Sequence, residues 1–547
     1  MRWKFTAAVL SLIVLATCVW FPALHFGFVY DDHLQIESNP QLQSWSALGQ
    51  ALHEPLWTQL GPEKASPYFR PLFLLVLFVE HMLFGSNPAP WHLVSMSLHC
   101  LVTLALFLFL FLHFGRLLPG WIAAAIFVCS PLTTEVACWL SACSESIYVL
   151  LVLCALCGLV LSDRAKTPTG ALALQFSSTS TLALAVFAKE TAVVAVVLAL
   201  AYEICFLTRK PLLRRVTVYA PLLIPVVAHL CIRPVALHAE SRLMIQALST
   251  IPYTCLFALR KLVWPVPVSE FYDFWLQQTR SFFSLAWHIG ILFGIAGEIL
   301  WWSLRSRTLR SRNLENRSLR SRFTAWALAV VALPLIAALA GGFYFRDYDL
   351  FHDRYLYLSF AGVACLIAAL IDSVETRPQL RVLVSAAAVL VLCFEATQSF
   401  SASQQFRDDL SLYSRATQVA PDNIVAWQLL AETAIGRADC PTALEAYQRA
   451  QQLRPDIWKT SFFLGIGYLR CGRYASAEEA FRQAADLPGA TSDQAALGWY
   501  ELGRVELVQN NLAAALTSLR KAASLDPSSK KIKVLLAQLL SAQGASS

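Results

Sequence analysis

The sequence predicts an all-α fold, in which a bundle of membrane-spanning helices is followed by a solenoid of helical repeats. Of the 547 residues, 57% are hydrophobic and 14% are charged. Soluble domains have about 45–50% apolar and about 25% charged residues. The apolar residues form long runs, and the last quarter of the chain is much more polar. These observations indicate a polytopic membrane protein with a soluble tail.

Eleven apolar segments are predicted to span the membrane, because about 20 mostly apolar residues are enough to cross it. The first is interpreted as a retained helix, since no small-x-small cleavage site follows it. The predicted spans are 5–24, 92–114, 120–134, 146–161, 171–188, 191–207, 215–232, 284–303, 323–342, 356–371 and 380–397.

Six basic clusters set the predicted orientation, because short cytoplasmic loops are rich in Lys and Arg. This places the N-terminus inside and the C-terminus outside. Segments 68–84 and 246–264 are also apolar, but counting them as spans would move several basic loops outside. Both are therefore predicted to lie in the outer interface. The clusters are Arg2 with Lys4, Arg116, Arg164 with Lys166, Arg209 to Arg215, Arg305 to Arg322, and Arg377 with Arg381.

The polar tail contains three units that follow the 34-residue tetratricopeptide pattern. The predicted domains are 1–401 for the membrane part, with a first outer loop at 25–91, and 402–547 for the repeats. Small residues recur where the two helices of a unit should touch, and stacking of units buries the large ones. The units lie near 424–457, 458–491 and 496–529, with a closing helix at 530–543.

Charge and cysteine content argue against nucleic-acid binding and against a cysteine-ligated zinc site. The net charge of +7 is explained largely by the basic loops, so nucleic-acid binding is not expected. Most of the 14 cysteines lie in apolar segments, and no paired CxxC pattern indicates a zinc site. Cys440 and Cys471 lie near helix turns of adjacent repeats, where they can pair in an oxidising compartment or stay free.

An acidic pair, Asp31-Asp32, follows the first predicted span, and acidic residues at a membrane surface usually serve function. By the predicted topology, further polar motifs lie on the same outer side. A solvated helix end is the other interpretation of the pair. These motifs are Tyr68-Phe69-Arg70-Pro71, Phe84-Gly85-Ser86-Asn87-Pro88, His92, Pro131 to Trp139 with Glu135, Lys189-Glu190, and His352-Asp353-Arg354-Tyr355-Leu356-Tyr357.

In its order of motifs the chain resembles the C-type glycosyltransferases, and specifically the tetratricopeptide-bearing transmembrane O-mannosyltransferases and their bacterial relatives. The resemblance runs from the first helix to the repeats. Two positions depart from the family pattern: Ser130 stands where His is expected, and Ser95 where relatives tend to carry Asn.

The resemblance implies a role for each motif residue. Asp31 or Asp32 would be the general base, with Asp31 favoured. Glu135 would orient the acceptor or the sugar, and cations would hold the lipid phosphate. No metal site is evident, although Asp31, Asp32 and Glu135 can together hold a divalent cation. Interfacial anchoring is the alternative for the cations, and helix packing for His92. The expected substrate and phosphate contacts are Arg354, Lys189, Glu190, Arg70, Tyr357 and His92.

The expected function is transfer of mannose or another hexose from a polyprenyl-phosphate carrier to Ser or Thr hydroxyls of proteins outside the cytoplasm. The repeats would dock acceptor proteins, or form a rigid lid. The short loops favour a bacterial inner membrane with periplasmic repeats over an endoplasmic reticulum membrane with luminal ones. Two rivals remain: transfer to a glycan or lipid head group, and a membrane-anchored scaffold without enzymatic activity.

Overall fold

The structure is a computed structural model that describes residues 2–61, 68–207, 241–272, 314–341, 351–375 and 377–546, with a few scattered positions between 219 and 291. These residues are helical throughout their regular elements, so the predicted all-α class is confirmed. The chain divides into a membrane unit, residues 1–270 and 274–408, and a repeat unit, residues 271–273 and 409–547.

Seven helices among the described residues are long and apolar enough to cross a membrane, or eight if one bent pair counts as a single span. The predicted span 191–207 is a shorter helix, Ala192–Phe206. The predicted spans 215–232 and 284–303, and the basic cluster Arg209 to Arg215, lie largely outside the described residues. The seven are Arg2–His25, Pro88–Phe114, Leu140–Asp163, Pro168–Ala188, Leu319–Ala337, Asp353–Val374 and Pro378–Arg407.

The predicted span 120–134 is broken rather than straight. Helix Leu117–Cys129 stops before Pro131, and the chain bends by 59° into the segment Pro131–Cys138. Proline has no N–H to donate, so the helix cannot continue with full hydrogen bonding. Other helices satisfy the freed carbonyls: Trp20 donates to Val128 O at 3.0 Å, and Ser399 donates to Cys129 O at 2.6 Å. The break turns the following residues, including Glu135, away from the line of the helix.

The two segments predicted to lie in the interface are also helical. Pro71–Phe84 is a short apolar helix. Ser241–Val263 is a helix of 23 residues that does not qualify as a span by composition.

Basic and acidic side chains meet at one end of the membrane unit. Arg116 binds Asp372 at 3.2 Å and Glu375 at 3.3 Å, and Arg320 binds Asp372 at 2.8 Å. Asp372 lies near the end of helix Tyr357–Val374, whereas Arg354 precedes that helix. At 1.5 Å per residue the 18-residue helix separates its two ends by about 27 Å. The membrane unit therefore has two distinct charged ends.

The repeat unit consists of paired antiparallel helices that follow the predicted repeats. Cys440 and Cys471 form a disulfide with a Cα–Cα distance of 5.8 Å, which joins the first pair to the second. Small residues lie where helices touch. A Cβ on Gly498 would lie 2.8 to 3.1 Å from Ala485, two of whose three contacting atoms are backbone. The pairs are Ile424–Gly436 with Cys440–Leu453, Trp458–Arg470 with Tyr474–Ala485, and Ser492–Val508 with Leu512–Leu525, preceded by Asp409–Val419 and followed by Lys530–Ser546.

Gly498→Ala is expected to destabilise the repeat unit by about 1–3 kcal/mol, as overpacking of a close helix contact does. Backbone atoms cannot rotate away as a side chain can. The fluorescence of the neighbouring Trp499 should report this unfolding. Gly436→Ala is the matched control, because no atom lies within 4 Å of its added Cβ. Equal unfolding midpoints for the two variants would contradict the contact.

Candidate active site

Arg354 is the centre of a buried charged cluster, which we call the Arg354 cluster and which comprises Arg354, Glu135, Glu270 and His352. His352 is extended, and a short 3-10 turn, Asp353–Leu356, leads into the next helix. The Arg354 backbone N–H donates to Glu135 Oε2 at 3.0 Å, and its Nη1 donates to Glu135 Oε1. Nη1 also donates to Glu270 Oε1 at 3.1 Å. One guanidinium thus joins two distant loops.

Asp31 and Asp32 have different surroundings. The Asp32 side chain is fully buried, and its Oδ1 accepts from Ser141 N at 2.8 Å and Ser141 Oγ at 2.5 Å. Its Oδ2 accepts from Val29 N at 3.2 Å. Asp31 is only partly exposed, and no hydrogen bond to its carboxylate occurs among the described residues. Asp32 therefore holds the loop together through its side chain, and Asp31 differs from it in this respect.

Burial shifts the pKa of both aspartates upward. It raises the pKa of Asp31 to about 6, and the positive charge of Arg354 opposes the shift. It raises the pKa of Asp32 to about 7, against the hydrogen bonds from Ser141 and Val29. Since its pKa lies below 7, Asp31 is mostly deprotonated at neutral pH. A pKa near the working pH suits a general base.

Two more predicted cations lie in a second cluster, the Lys189 cluster of Lys189, Glu145, Arg70 and Glu190. Lys189 is extended where helix Pro168–Ala188 ends, and its Nζ pairs with Glu145. Arg70 binds Glu190 with two hydrogen bonds, of 2.9 and 2.6 Å. Burial would raise the pKa of Glu190, but the charges of Arg70 and Lys189 together with the hydrogen bonds to the Glu190 carboxylate lower that pKa to about 2. Burial lowers the pKa of Lys189, against the pull of Glu145.

The ring of Tyr355 connects the two clusters. Arg354 lies 5.3 Å and Lys189 lies 5.8 Å from its centroid. Arg354 also lies 4.6 Å from the Trp139 ring, on which Tyr30 stacks at 5.8 Å. Cations within about 6 Å of an aromatic face are attracted to it. The structure therefore gathers side chains from five separate sequence motifs into one region.

Two of the predicted contacts have partners elsewhere in the bundle. His92 is buried and its Nε2 lies 3.2 Å from Gly27 O, while its ring packs against Phe26. Tyr357 is buried, with its hydroxyl 2.6 Å from His99 Nδ1. Both join helices and loops around the site. Their place in substrate binding stays a prediction.

Three residues could hold a metal ion, and they differ from the predicted set of Asp31, Asp32 and Glu135. Glu135, Glu270 and His352 are all buried and offer ligand atoms that lie within 4.8 Å of one another. Asp32 makes its hydrogen bonds to Ser141 and Val29 instead. Burial raises the pKa of Glu270 to about 7, and Arg354 opposes that shift.

Sequence reasoning missed Glu270, Glu145 and the partner of Lys261. The sequence predicts that Lys261 lies in an interfacial helix, but its side chain is fully buried and its Nζ lies 3.0 Å from Asp353 Oδ2. It also donates to Pro265 O at 3.2 Å and Pro267 O at 2.5 Å. A single Glu that belongs to no spaced motif gives no signal in the sequence. Two features of the sequence could have indicated the ion pair: Asp353 is adjacent to Arg354, and Lys261 lies near the end of an apolar segment.

Together these features define a multi-spanning membrane protein with a charged site at one end and a tetratricopeptide tail. The tetratricopeptide repeat family model matches residues 429–495 and 464–530. Human protein O-mannosyl-transferase TMTC3 is 22% identical over 506 residues, which cover 87% of this chain and 54% of that protein. Drosophila melanogaster Tmtc1, also a protein O-mannosyl-transferase, is 32% identical over 24% of this chain and 16% of its own length.

The predicted resemblance to the tetratricopeptide-bearing transmembrane O-mannosyltransferases is confirmed by these relatives. The chain spans about half the length of the curated relatives that it matches over most of its own length. Among solved structures, Cupriavidus metallidurans ArnT bound to undecaprenyl phosphate aligns with 89% of this chain and 82% of its own, at 15% identity and a TM-score of 0.35. An Archaeoglobus fulgidus oligosaccharyltransferase aligns with 82% of this chain and 59% of its own, at 12% identity and a TM-score of 0.36.

Lys261→Met is expected to destabilise the membrane unit by about 3–5 kcal/mol, because it removes the ammonium group that pairs with the buried Asp353 carboxylate. The measurement is the thermal unfolding of the full chain in lipid nanodiscs. Arg260→Met is the control: Arg260 is exposed, so its loss should change stability by no more than about 0.5 kcal/mol. A similar shift for both variants would show that the ion pair contributes nothing.

Proposed function

We propose that the chain is an integral membrane glycosyltransferase that moves mannose or another hexose from a polyprenyl-phosphate carrier to Ser or Thr hydroxyls of proteins outside the cytoplasm. Its relatives carry the name protein O-mannosyl-transferase, and the match to TMTC3 extends over most of this chain. The observation that carries the proposal is a partly exposed Asp31 carboxylate in the field of Arg354.

The proposed reaction is a single inverting displacement at the sugar anomeric carbon. The acceptor hydroxyl gives its proton to Asp31 while its oxygen bonds to that carbon. The bond between the carbon and the phosphate oxygen breaks, and its electron pair leaves with the carrier phosphate. A base and a stabilised leaving group are both needed, and the two kinds of side chain lie in one region here.

The cations keep donors that phosphate can use. Arg354 engages its carboxylate partners through its backbone N–H and Nη1, which leaves Nε and Nη2 without a partner among the described residues. Arg70 donates from Nε and Nη2 to Glu190, and its Nη1 has no hydrogen-bond partner among the residues that the structure describes. Arginine donors suit phosphate oxygens. Glu135 and Glu190 would then orient these cations, a refinement of the role first expected for Glu135.

The repeats are proposed to dock acceptor proteins on the extracytoplasmic side. Tetratricopeptide solenoids commonly bind other proteins. The disulfide between Cys440 and Cys471 favours an oxidising compartment, such as a bacterial periplasm or the lumen of the endoplasmic reticulum. The same sidedness follows from the basic clusters, which would all be cytoplasmic.

Asp31→Asn is expected to lower transfer by about 10²- to 10⁴-fold, because the amide cannot accept the hydroxyl proton. Binding of the carrier should remain nearly intact. The measurement is transfer of labelled sugar from purified carrier to an acceptor peptide, together with carrier binding to the same preparation. Full activity of Asp31→Asn would exclude it as the base.

Two variants serve as comparisons in that assay. Asp32→Asn should also lower thermal stability, because it replaces an oxygen that accepts hydrogen bonds from a buried loop. Arg354→Ala should weaken carrier binding as well as transfer, because it removes a phosphate donor. If Arg354→Ala bound carrier as tightly as the parent chain, its proposed contact would be wrong.

Deleting residues 424–529 is expected to reduce transfer to large protein acceptors but to spare transfer to a short peptide. The repeats would be needed for docking and not for chemistry. The ratio of the two activities is the measurement, with carrier binding as the control for an intact membrane unit. Equal loss of both activities would favour a structural lid.

A further inference from the structure

The Arg354 cluster contains more negative than positive charge. Asp31, Glu135 and Glu270 contribute three carboxylates, and Asp31 interacts electrostatically with Arg354 and Glu270. Among the described residues, Arg354 is the cation that acts on all three carboxylates, while His352 and Lys261 also act on Glu135. The adjacent Asp353 is balanced by Lys261. The carboxylates of this cluster therefore outnumber the cations that face them.

Uncompensated charge is costly at this place because the glutamates are buried. Glu135 and Glu270 are each 1% exposed. Buried carboxylates are normally paired, protonated or bound to a metal. The charge can be cancelled here in two ways: a proton shared between the carboxylates, or a bound cation of charge +2.

A second observation favours the cation. Glu270 Oε1 contacts Arg354 and His352. Its Oε2 is buried and has no hydrogen-bond partner among the described residues. Such an orphaned oxygen is rare unless a water or ion is bound to it. His352, whose Nδ1 lies 3.1 Å from Glu270 Oε1, adds an imidazole to the two carboxylates. This mixture of ligands is one that metal ions use and that an acidic surface patch lacks.

We infer that Glu135, Glu270 and His352 form a binding site for one divalent metal ion. Two carboxylates and one imidazole suit Mn²⁺ or Zn²⁺ better than Ca²⁺ or Mg²⁺, which prefer oxygen ligands alone. The ion would supply the missing positive charge and would hold the loop of Glu270 to the loop of Glu135. Binding of the ion can be measured without substrate, so the inference does not depend on the proposed transfer reaction.

The test is a Mn²⁺ titration of the full-length chain in lipid nanodiscs, after removal of metal with a chelator. Free Mn²⁺ is followed by electron paramagnetic resonance. One saturable Mn²⁺ per chain is expected for the parent. Glu270→Gln should weaken binding at least about tenfold, as loss of a metal contact does. Absence of saturable binding to the parent chain would overturn the inference in favour of a shared proton.

The matched control is Glu395→Gln, the same chemical change at another buried glutamate, on helix Pro378–Ser403 and outside the cluster. It should bind Mn²⁺ as the parent chain does. Parent-like affinity of Glu270→Gln, or equal weakening by Glu395→Gln, would overturn the site. Should Glu270→Gln fail to elute as a single folded species, Glu270→Asp replaces it. The shorter side chain keeps the charge but draws the carboxylate back by one methylene, so weaker binding is expected and unchanged affinity would count against Glu270 as a ligand.

Discussion

The contacts of Arg354 with Glu135 and Glu270 tie together three segments of the membrane unit, and the rest of the site depends on them. Arg354 is 219 residues from Glu135 and 84 residues from Glu270 in the chain. A buried charge is tolerated only beside its partners. Burying one guanidinium therefore requires three loops to meet, and their meeting brings Trp139, Tyr355 and the acidic pair into the same region.

Composition and spacing predicted much of the architecture because those features are local. Apolar length identifies most spans, and the offsets of small and large residues identify the repeats. Asp31, Glu135 and Arg354 were selected from motifs at helix ends, and the structure does bring them together. The break at Pro131 was missed because the apolar run continues up to it, although a proline there was the signal.

The rest of the site required the three-dimensional arrangement. Glu270 and Glu145 belong to no motif with a characteristic spacing, so only their partners, Arg354 and Lys189, reveal them. Lys261 resembles an interfacial anchor in sequence, yet it pairs with Asp353 inside the protein. Likewise, nothing in two adjacent aspartates tells which one faces Ser141. A charge pattern gives the candidates, while their roles depend on neighbours that are distant in the chain.

Each of the cations Arg70, Lys189 and Arg354 is held by a carboxylate. This pairing of cations with carboxylates affects which anions can compete for the site. A small soluble anion must share cations that are already neutralised, and its charge alone gains little from them. A lipid-linked phosphate arrives with an apolar tail whose burial contributes about 0.8 kcal/mol per methylene. Under the proposed function, the paired cations would thus favour a lipid-linked phosphate over a small soluble anion.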